Sequence, residues 1–256
     1  MKPDAGAELP LPKRLLLGLL RAIARWPYRW QMRLALAPLL ARLSGRRRRI
    51  VEANIALCFP DLSTAERAQL VRRNLRSTAV SLFETTLAWF APRHVTAGIV
   101  EVQGLAHLQA ALAQGRGALC LYSHFTMSEL GGRLLSEALG RPMHQMVRRN
   151  NDAALEAIID AGRRQFCEKT VEKRDLAELL RSLRDGHPMG YAPDQDFNLH
   201  MAFVPFFGQP AATLMMTSRI ARLSRAPVLC CWIRRQPSGY GYLLRIDPPL
   251  SEFPSA

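Results

Sequence analysis

An α/β fold is what this sequence predicts: a mostly parallel central sheet flanked by helices, behind an N-terminal helical segment that associates with membranes. From about residue 97, apolar runs of strand length alternate with amphipathic runs of helix length. The stretches between strands are long enough for helical crossovers, which implies parallel neighbours and a sheet covered on both faces. The first fifty residues have another texture, mixing leucine and arginine throughout.

The segment KRLLLGLLRAIARWPYRWQMRLALAPLLARL, residues 13–43, contains no window near the roughly 20 uninterrupted apolar residues that a spanning helix needs. Arg21, Arg25, Arg29 and Arg33 recur every fourth residue, following one side of a helix with slow drift. Leu16, Leu17, Leu20, Ile23, Ala24 and Trp26 fill the rest, and Pro27 and Pro38 predict breaks into shorter helices. Such a helix can lie in the bilayer interface, sinking leucines, Trp26 and Trp30 while the arginines reach phosphates. Packing on the protein's own core is the alternative. A cleaved signal peptide fits poorly, because arginine recurs through the would-be apolar region. GRRRR, residues 45–49, adds a positive cluster suited to anionic headgroups. The expected division is a membrane-associating segment over 1–49 and an α/β domain over 50–256.

Residues 50–92 read as helical, with Ser63 and Glu66 as a capping box and Pro92 as the stop. IVEVQG is a strand, LAHLQAALAQG a helix, GALCLYS a buried strand and MSELGGRLLSEAL a helix. PMHQMVR is a strand, followed by a helix over roughly 152–166. RDLAELLRSLRDG is an amphipathic helix and PMGYAPD a strand. AATLMMTSRIARLS, residues 211–224, reads as helical, and APVLCCWIRR and GYLLRIDPPL are further strands.

The net charge of +14 is placed unevenly. Twelve basic side chains in residues 1–50 stand against Asp4 and Glu8, a local excess of +10. A polyanionic partner is implied at that end. No nucleic-acid module accompanies the charge, so no nucleic-acid partner is expected. The five cysteines are scattered, odd in number and without a CxxC pair, which argues against a disulfide framework and a structural cysteine–zinc site.

GALCLYS runs straight into His124, at the strand end where ligands gather in such sheets. Along a continuous helix Glu129 would be rotated about 140° from His124. With residues 124–127 as a turn into the helix, Glu129 lies in the first helical turn. Its carboxylate can then fold back onto one imidazole nitrogen and leave the other as a base. The H-x4-[D/E] spacing alone is weak in a chain with six histidines and 21 acidic residues; its strand–turn–helix setting raises it.

Arg148 and Arg149 follow another strand end, where they could bind acceptor phosphates or a developing oxyanion, a solvated loop being the alternative. In PDQD, residues 193–196, Asp194 and Asp196 could orient Arg148 or an acceptor sugar, and Gln195 could donate to a carbonyl. A metal at these aspartates lacks a histidine or third carboxylate at ligand spacing, so neither metal nor cofactor is expected. Phe203, Phe206 and Phe207 read as core or as an acyl-chain wall. His144, His187 and His200 lack carboxylates at useful spacing and read as structural.

Taken together, several stretches resemble one family. HFTMSE is similar to the H-x4-[D/E] motif of glycerolipid-type acyltransferases. RRRRIVEANIALCFPDLS, GRGALCLYSHF, MVRRNND, YAPDQDF and FVPFFGQPAAT resemble the late acyltransferases of lipid A biosynthesis, the lauroyl and myristoyl type, over roughly residues 14–254. The resemblance implies transfer of a fatty acyl chain from acyl carrier protein to a hydroxyl of a phosphorylated lipid A precursor. The setting it implies is the cytoplasmic face of the inner membrane, with peripheral or monotopic attachment. It implies His124 as general base, Glu129 as the group that fixes its tautomer, and no covalent intermediate. No G-x-S-x-G elbow and no cysteine beside the histidine speak for a nucleophile. The resemblance favours Arg148 of the two arginines and an asparagine just downstream, for which Asn150 and Asn151 both qualify. Acidic acyl carrier protein, acceptor phosphates and anionic lipids could each be drawn by the basic surface. Another glycolipid or lipid-like acceptor, and a non-catalytic membrane-binding relative, stay open. Family members usually extend beyond the PL..FP segment, whereas this chain stops at LSEFPSA, so a shortened or truncated C-terminus is expected.

Overall fold

The computed structural model describes residues 11–33, 45–195 and 201–254. Helices α1 (Leu11–Ala24) and α2 (Tyr28–Arg33) flank Pro27, which has no amide to continue the first run. They are followed by α3 (Gly45–Cys58), α4 (Thr64–Phe90) and the short α5 (Arg93–Thr96). The capping box opens α4: Ser63 Oγ accepts from the Glu66 amide, and the Glu66 carboxylate accepts from the Ser63 amide at 2.8 Å. Pro92 follows the helix, as expected, and the buried Arg133 guanidinium covers the carbonyls of Leu87 and Ala88 near its end, each at 3.0 Å.

The α/β part runs β1 (Val100–Gln103), α6 (Leu105–Leu112), β2 (Ala118–Leu121), α7 (Ser128–Leu139), β3 (Met143–Val147), α8 (Ala153–Arg163), β4 (Cys167–Glu172), α9 (Leu176–Arg184) and β5 (Pro188–Tyr191). The hairpin β6 (Met201–Phe206) and β7 (Gln209–Leu214) leads into α10 (Met216–Ser224), β8 (Val228–Arg235) and β9 (Tyr242–Ile246). Seven strands form one sheet in the order β1-β9-β8-β2-β5-β3-β4, parallel at every pairing except β8–β9. The mostly parallel α/β architecture read from the sequence is therefore present. Leu121 pairs with both Tyr191 and Cys230, so β2, β5 and β8 run level where β2 ends.

Alternation along β2 divides the core between the two faces. Ala118 and Cys120 join Leu87, Leu130, Leu134 and Ile233 under α4 and α7, while Leu119 joins Leu179, Leu183 and Ile220 under α9 and α10. Helix α1 packs on the first of these cores through Leu17, Leu20 and Ala24, and Tyr28 inserts edge-on against Tyr240 and Tyr242. The same helix leaves Leu11, Leu15 and Leu19 exposed along one stripe. Trp26 and Trp30 are exposed as well; Arg21 lies over the Phe90 ring and Arg29 over the Tyr240 ring, while Arg33 ends α2. Helix α1 thus packs one side on the core and leaves leucines exposed on the other. Among the described residues no helix is long and apolar enough to cross a membrane.

Several elements differ from the sequence reading, among them β6, where that reading assigns no strand. The cluster GRRRR belongs to α3, whose start at Gly45 carries the helix through position 49. Strand β4 was not expected, because CEKTVE alternates charge with apolar residues; it closes the sheet edge, where charged outward side chains deter further pairing. Residues 211–214 are strand rather than helix. Phe207 (φ 50°) and Gly208 (φ 72°) make a two-residue left-handed turn that pairs Phe206 with Gln209 and draws the alanines into β7. Phe203, Phe206 and Phe207 are exposed on this hairpin and do not enter the core.

Candidate active site

Because β2 and β5 are parallel neighbours, the segments leaving them emerge side by side. Tyr122–Met127 follows β2 and Pro193–Asp194 follows β5. Asp194 grips His124 twice: one carboxylate oxygen accepts the backbone amide at 2.8 Å, and the other lies 2.5 Å from ring Nδ1. Both side chains reach solvent, at 45 % and 36 % exposure. A carboxylate at Nδ1 favours the proton on that nitrogen and leaves Nε2 with its lone pair.

Glu129 is not the partner of that ring. It does fall in the first turn of α7, but its carboxylate points behind the turn, where it accepts from Trp89 Nε1 at 2.9 Å and pairs with Arg163 through Nε and Nη2. A guanidinium fork satisfies both carboxylate oxygens, a stronger claim than an imidazole across the turn. Burial works against the Arg163 charge, yet the bonds and charge of Glu129 hold its pKa above the usual value. Trp89 reaches this place because Gly162 leaves room: a Cβ there would lie 2.3 Å from the indole.

The turn is held from a second side. Thr126 Oγ1 lies 3.1 Å from Ser77 Oγ, and Arg235 reaches both hydroxyls while forming a two-point ion pair with Glu84 at 2.6 and 2.7 Å. Glu84 is fully buried and also accepts from Tyr242 at 2.9 Å. Burial, then the Glu84 charge, pushes the Tyr242 phenol well above its ordinary pKa, so it stays the donor. Beneath the turn, the Tyr122 hydroxyl accepts from Gln145 at 2.7 Å and lies against Gly190, where a Cβ would be 2.7 Å from it.

Of the other expected site residues, Arg148 and Asn151 are exposed beyond β3 and make no hydrogen bond or ion pair among the described residues. Arg149 lies 3.7 Å from Glu156 and 3.6 Å from Asp160. Asn150 is used in its own turn: its amide donates to Glu156 and its side chain accepts from the Asp152 amide. Gln195 is exposed beside Asp194, and Asp196 and His200 lie outside the described residues. His144 and His187, read as lacking a carboxylate, both have Glu168 near them. Sequence reasoning missed Trp89, Arg163, Glu84 and Arg235. A charged residue on an otherwise apolar helical stretch, Glu84 in SLFETTLAWF, was the available signal.

A groove of about 420 Å³ opens beside Asp194 between Leu121, Tyr122, Thr213, Leu214, Trp232 and Phe253. A second, of about 790 Å³, lies across Trp232 between Phe125, Arg234 and Arg245. An accessible imidazole tied to a carboxylate at the rim of a parallel sheet, beside a largely apolar groove, defines this chain as an α/β enzyme whose site suits a greasy substrate.

The comparisons with known proteins carry the identification further. The model of the bacterial lipid A biosynthesis acyltransferases matches residues 12–255, and the chain belongs to that family and is an acyltransferase. It is 35% identical to the lipid A biosynthesis lauroyltransferase of Escherichia coli K12 over 237 residues, 91% of this chain and 77% of that protein. It is 34% identical to the palmitoleoyltransferase of the same strain, covering 82% of this chain and 69% of that one. With the myristoyltransferase it shares 26%, over 84% and 69%.

Proposed function

We propose that the chain carries out a secondary acylation in lipid A biosynthesis, moving a fatty acyl group from acyl carrier protein thioester to a hydroxyl of a phosphorylated lipid A precursor. Family membership supports the reaction class and the glycolipid acceptor. The observation that carries the mechanism is the double contact of Asp194 with His124. The acceptor oxygen attacks the thioester carbonyl as its proton passes to His124 Nε2. The tetrahedral intermediate then expels the thiolate, which takes that proton from the imidazolium. Asp194, in the place expected for Glu129, holds the Nδ1 proton and stabilises the charged ring. Glu129 acts as a positioning residue that keeps the turn against Arg163 and Trp89.

Arg148, with Asn151 and Gln195 beside the same rim, binds acceptor phosphate or carbonyl oxygens; Arg149, shared with Glu156 and Asp160, contributes less. The exposed leucine stripe of α1, Trp26, Trp30 and the neighbouring arginines rest on anionic lipid, which makes 1–49 the membrane-associating segment of a peripheral protein at the cytoplasmic face of the inner membrane. Incubating the purified protein with acyl carrier protein thioesters and a defined lipid A precursor, and weighing the products by mass spectrometry, tests the reading. Gain of one acyl chain by the precursor is expected; acylation of other lipids alone, or of none, overturns it.

A further inference from the structure

At the other end of the sheet, where β3, β4 and β5 begin, two imidazoles and a carboxylate converge. His144 is the second residue of β3, Glu168 the second of β4, and His187 immediately precedes β5. The two rings stack with centroids 3.9 Å apart and planes 14° from parallel. Glu168 Oε2 lies 3.7 Å from His144 Nε2 and 3.9 Å from His187 Nδ1, beyond hydrogen-bonding distance in both cases. The Nδ1 atoms of both rings are buried with no hydrogen-bond partner among the described residues. Of these two atoms only His187 Nδ1 faces Glu168, since the His144 nitrogen nearest that carboxylate is Nε2; protein groups alone thus leave the His187 nitrogen of this cluster unsatisfied, at the cost that a buried unpaired polar atom carries.

One donor atom from each of the three residues lies within 4.8 Å of the others. Ligands about 2.0–2.2 Å from a tetrahedral zinc ion sit about 3.3–3.5 Å from one another. The carboxylate edges have to close by about half an ångström to reach that spacing, and the stacked rings have to splay. Glu168 and His187 can move, being 54 % and 25 % exposed, and the exposed side leaves a position for water. Lys169, the nearest cation along β4, is occupied by Glu178 and does not compete for Glu168.

We propose that His144, Glu168 and His187 form a zinc-binding site, completed by a water ligand, that straps together the starts of β3, β4 and β5. Two imidazoles and a carboxylate are the donor set of a borderline divalent ion rather than of calcium or magnesium. The role is structural, because the four residues of β5 put roughly 13 Å of strand between this site and the His124 rim.

The test needs no substrate, so its outcome is independent of the acyl-transfer reading. Protein freed of metal by a chelator is titrated with zinc chloride by calorimetry, with its melting temperature followed alongside. Expected are one ion per chain, a melting temperature that climbs with free zinc, and tetrahedral cobalt(II) absorption on substitution. Glu168→Gln and His187→Asn, both at partly exposed positions where folding survives, each weaken zinc binding by about 100-fold or more. Absence of binding, or unchanged affinity in both variants, overturns the proposal.

Discussion

Asp194 meets the His124 turn from the groove, where its carboxylate touches both the backbone and the ring and stays open to solvent. Glu129 meets the same turn from behind, largely enclosed, with its oxygens taken by Arg163 and Trp89. The two groups have the same chemistry and opposite surroundings. The first carboxylate lies where a substrate can approach it; the oxygens of the second are already taken by a guanidinium and an indole. The residue five places along the chain is tied to groups behind the turn, and the one seventy places away is paired with the ring.

The largest expected effect removes what both carboxylates surround: His124→Ala lowers turnover by about 10²–10⁴-fold with little change in melting temperature. Wild-type turnover in that variant would break the comparison at its centre. Next comes the deepest of the supporting groups. Glu84→Ala strands the Arg235 guanidinium and costs about 3–5 kcal/mol in denaturant unfolding, as loss of one partner of a buried pair does.

Asp194→Asn and Glu129→Gln then set the front against the back. The first is expected to lower turnover by about 10–100-fold with stability nearly unchanged, since it alters the ring's partner without emptying space. The second is expected to cost about 2 kcal/mol of stability, less than a fully enclosed pair because both partners are partly exposed. Its activity loss should follow the fraction unfolded. An interchange of these two phenotypes would mean that the roles have been assigned the wrong way round.

The smallest effect lies far from the turn. Ser63→Ala removes the cap of α4 and costs about 1 kcal/mol. Hydrogen bonds from Ser63 hold the Glu66 carboxyl below its ordinary pKa of 4.5. Its contribution is therefore present above that value and is lost as pH falls through the lower, folded one. In Ser63→Ala this part of the acid dependence should flatten.

Elements governed by local rules were legible in the sequence. The capping box, the stop at Pro92, the break at Pro27 and the strand that ends before His124 each depend on a few adjacent residues. The pairing of His124 with Asp194 was not, because it needs β5 to lie beside β2, and strand order is set by packing of the whole sheet. For the same reason Glu168 could not be joined to His144 and His187: three neighbouring strand starts bring them together, with no spacing to announce it. Strand β4 hid behind its charges, and the alanine-rich stretch at 211–214 was overridden by the turn at Phe207–Gly208.

That hairpin has a consequence of its own. Strands β6 and β7 bond to each other and stand outside the seven-stranded sheet, yet Thr213 and Leu214 form part of the groove wall beside Asp194. A module so attached can be re-lettered like an interchangeable cassette: exchanging its side chains is expected to change what the mouth admits, while the seven-stranded frame that carries the imidazole shares no ladder bond with it.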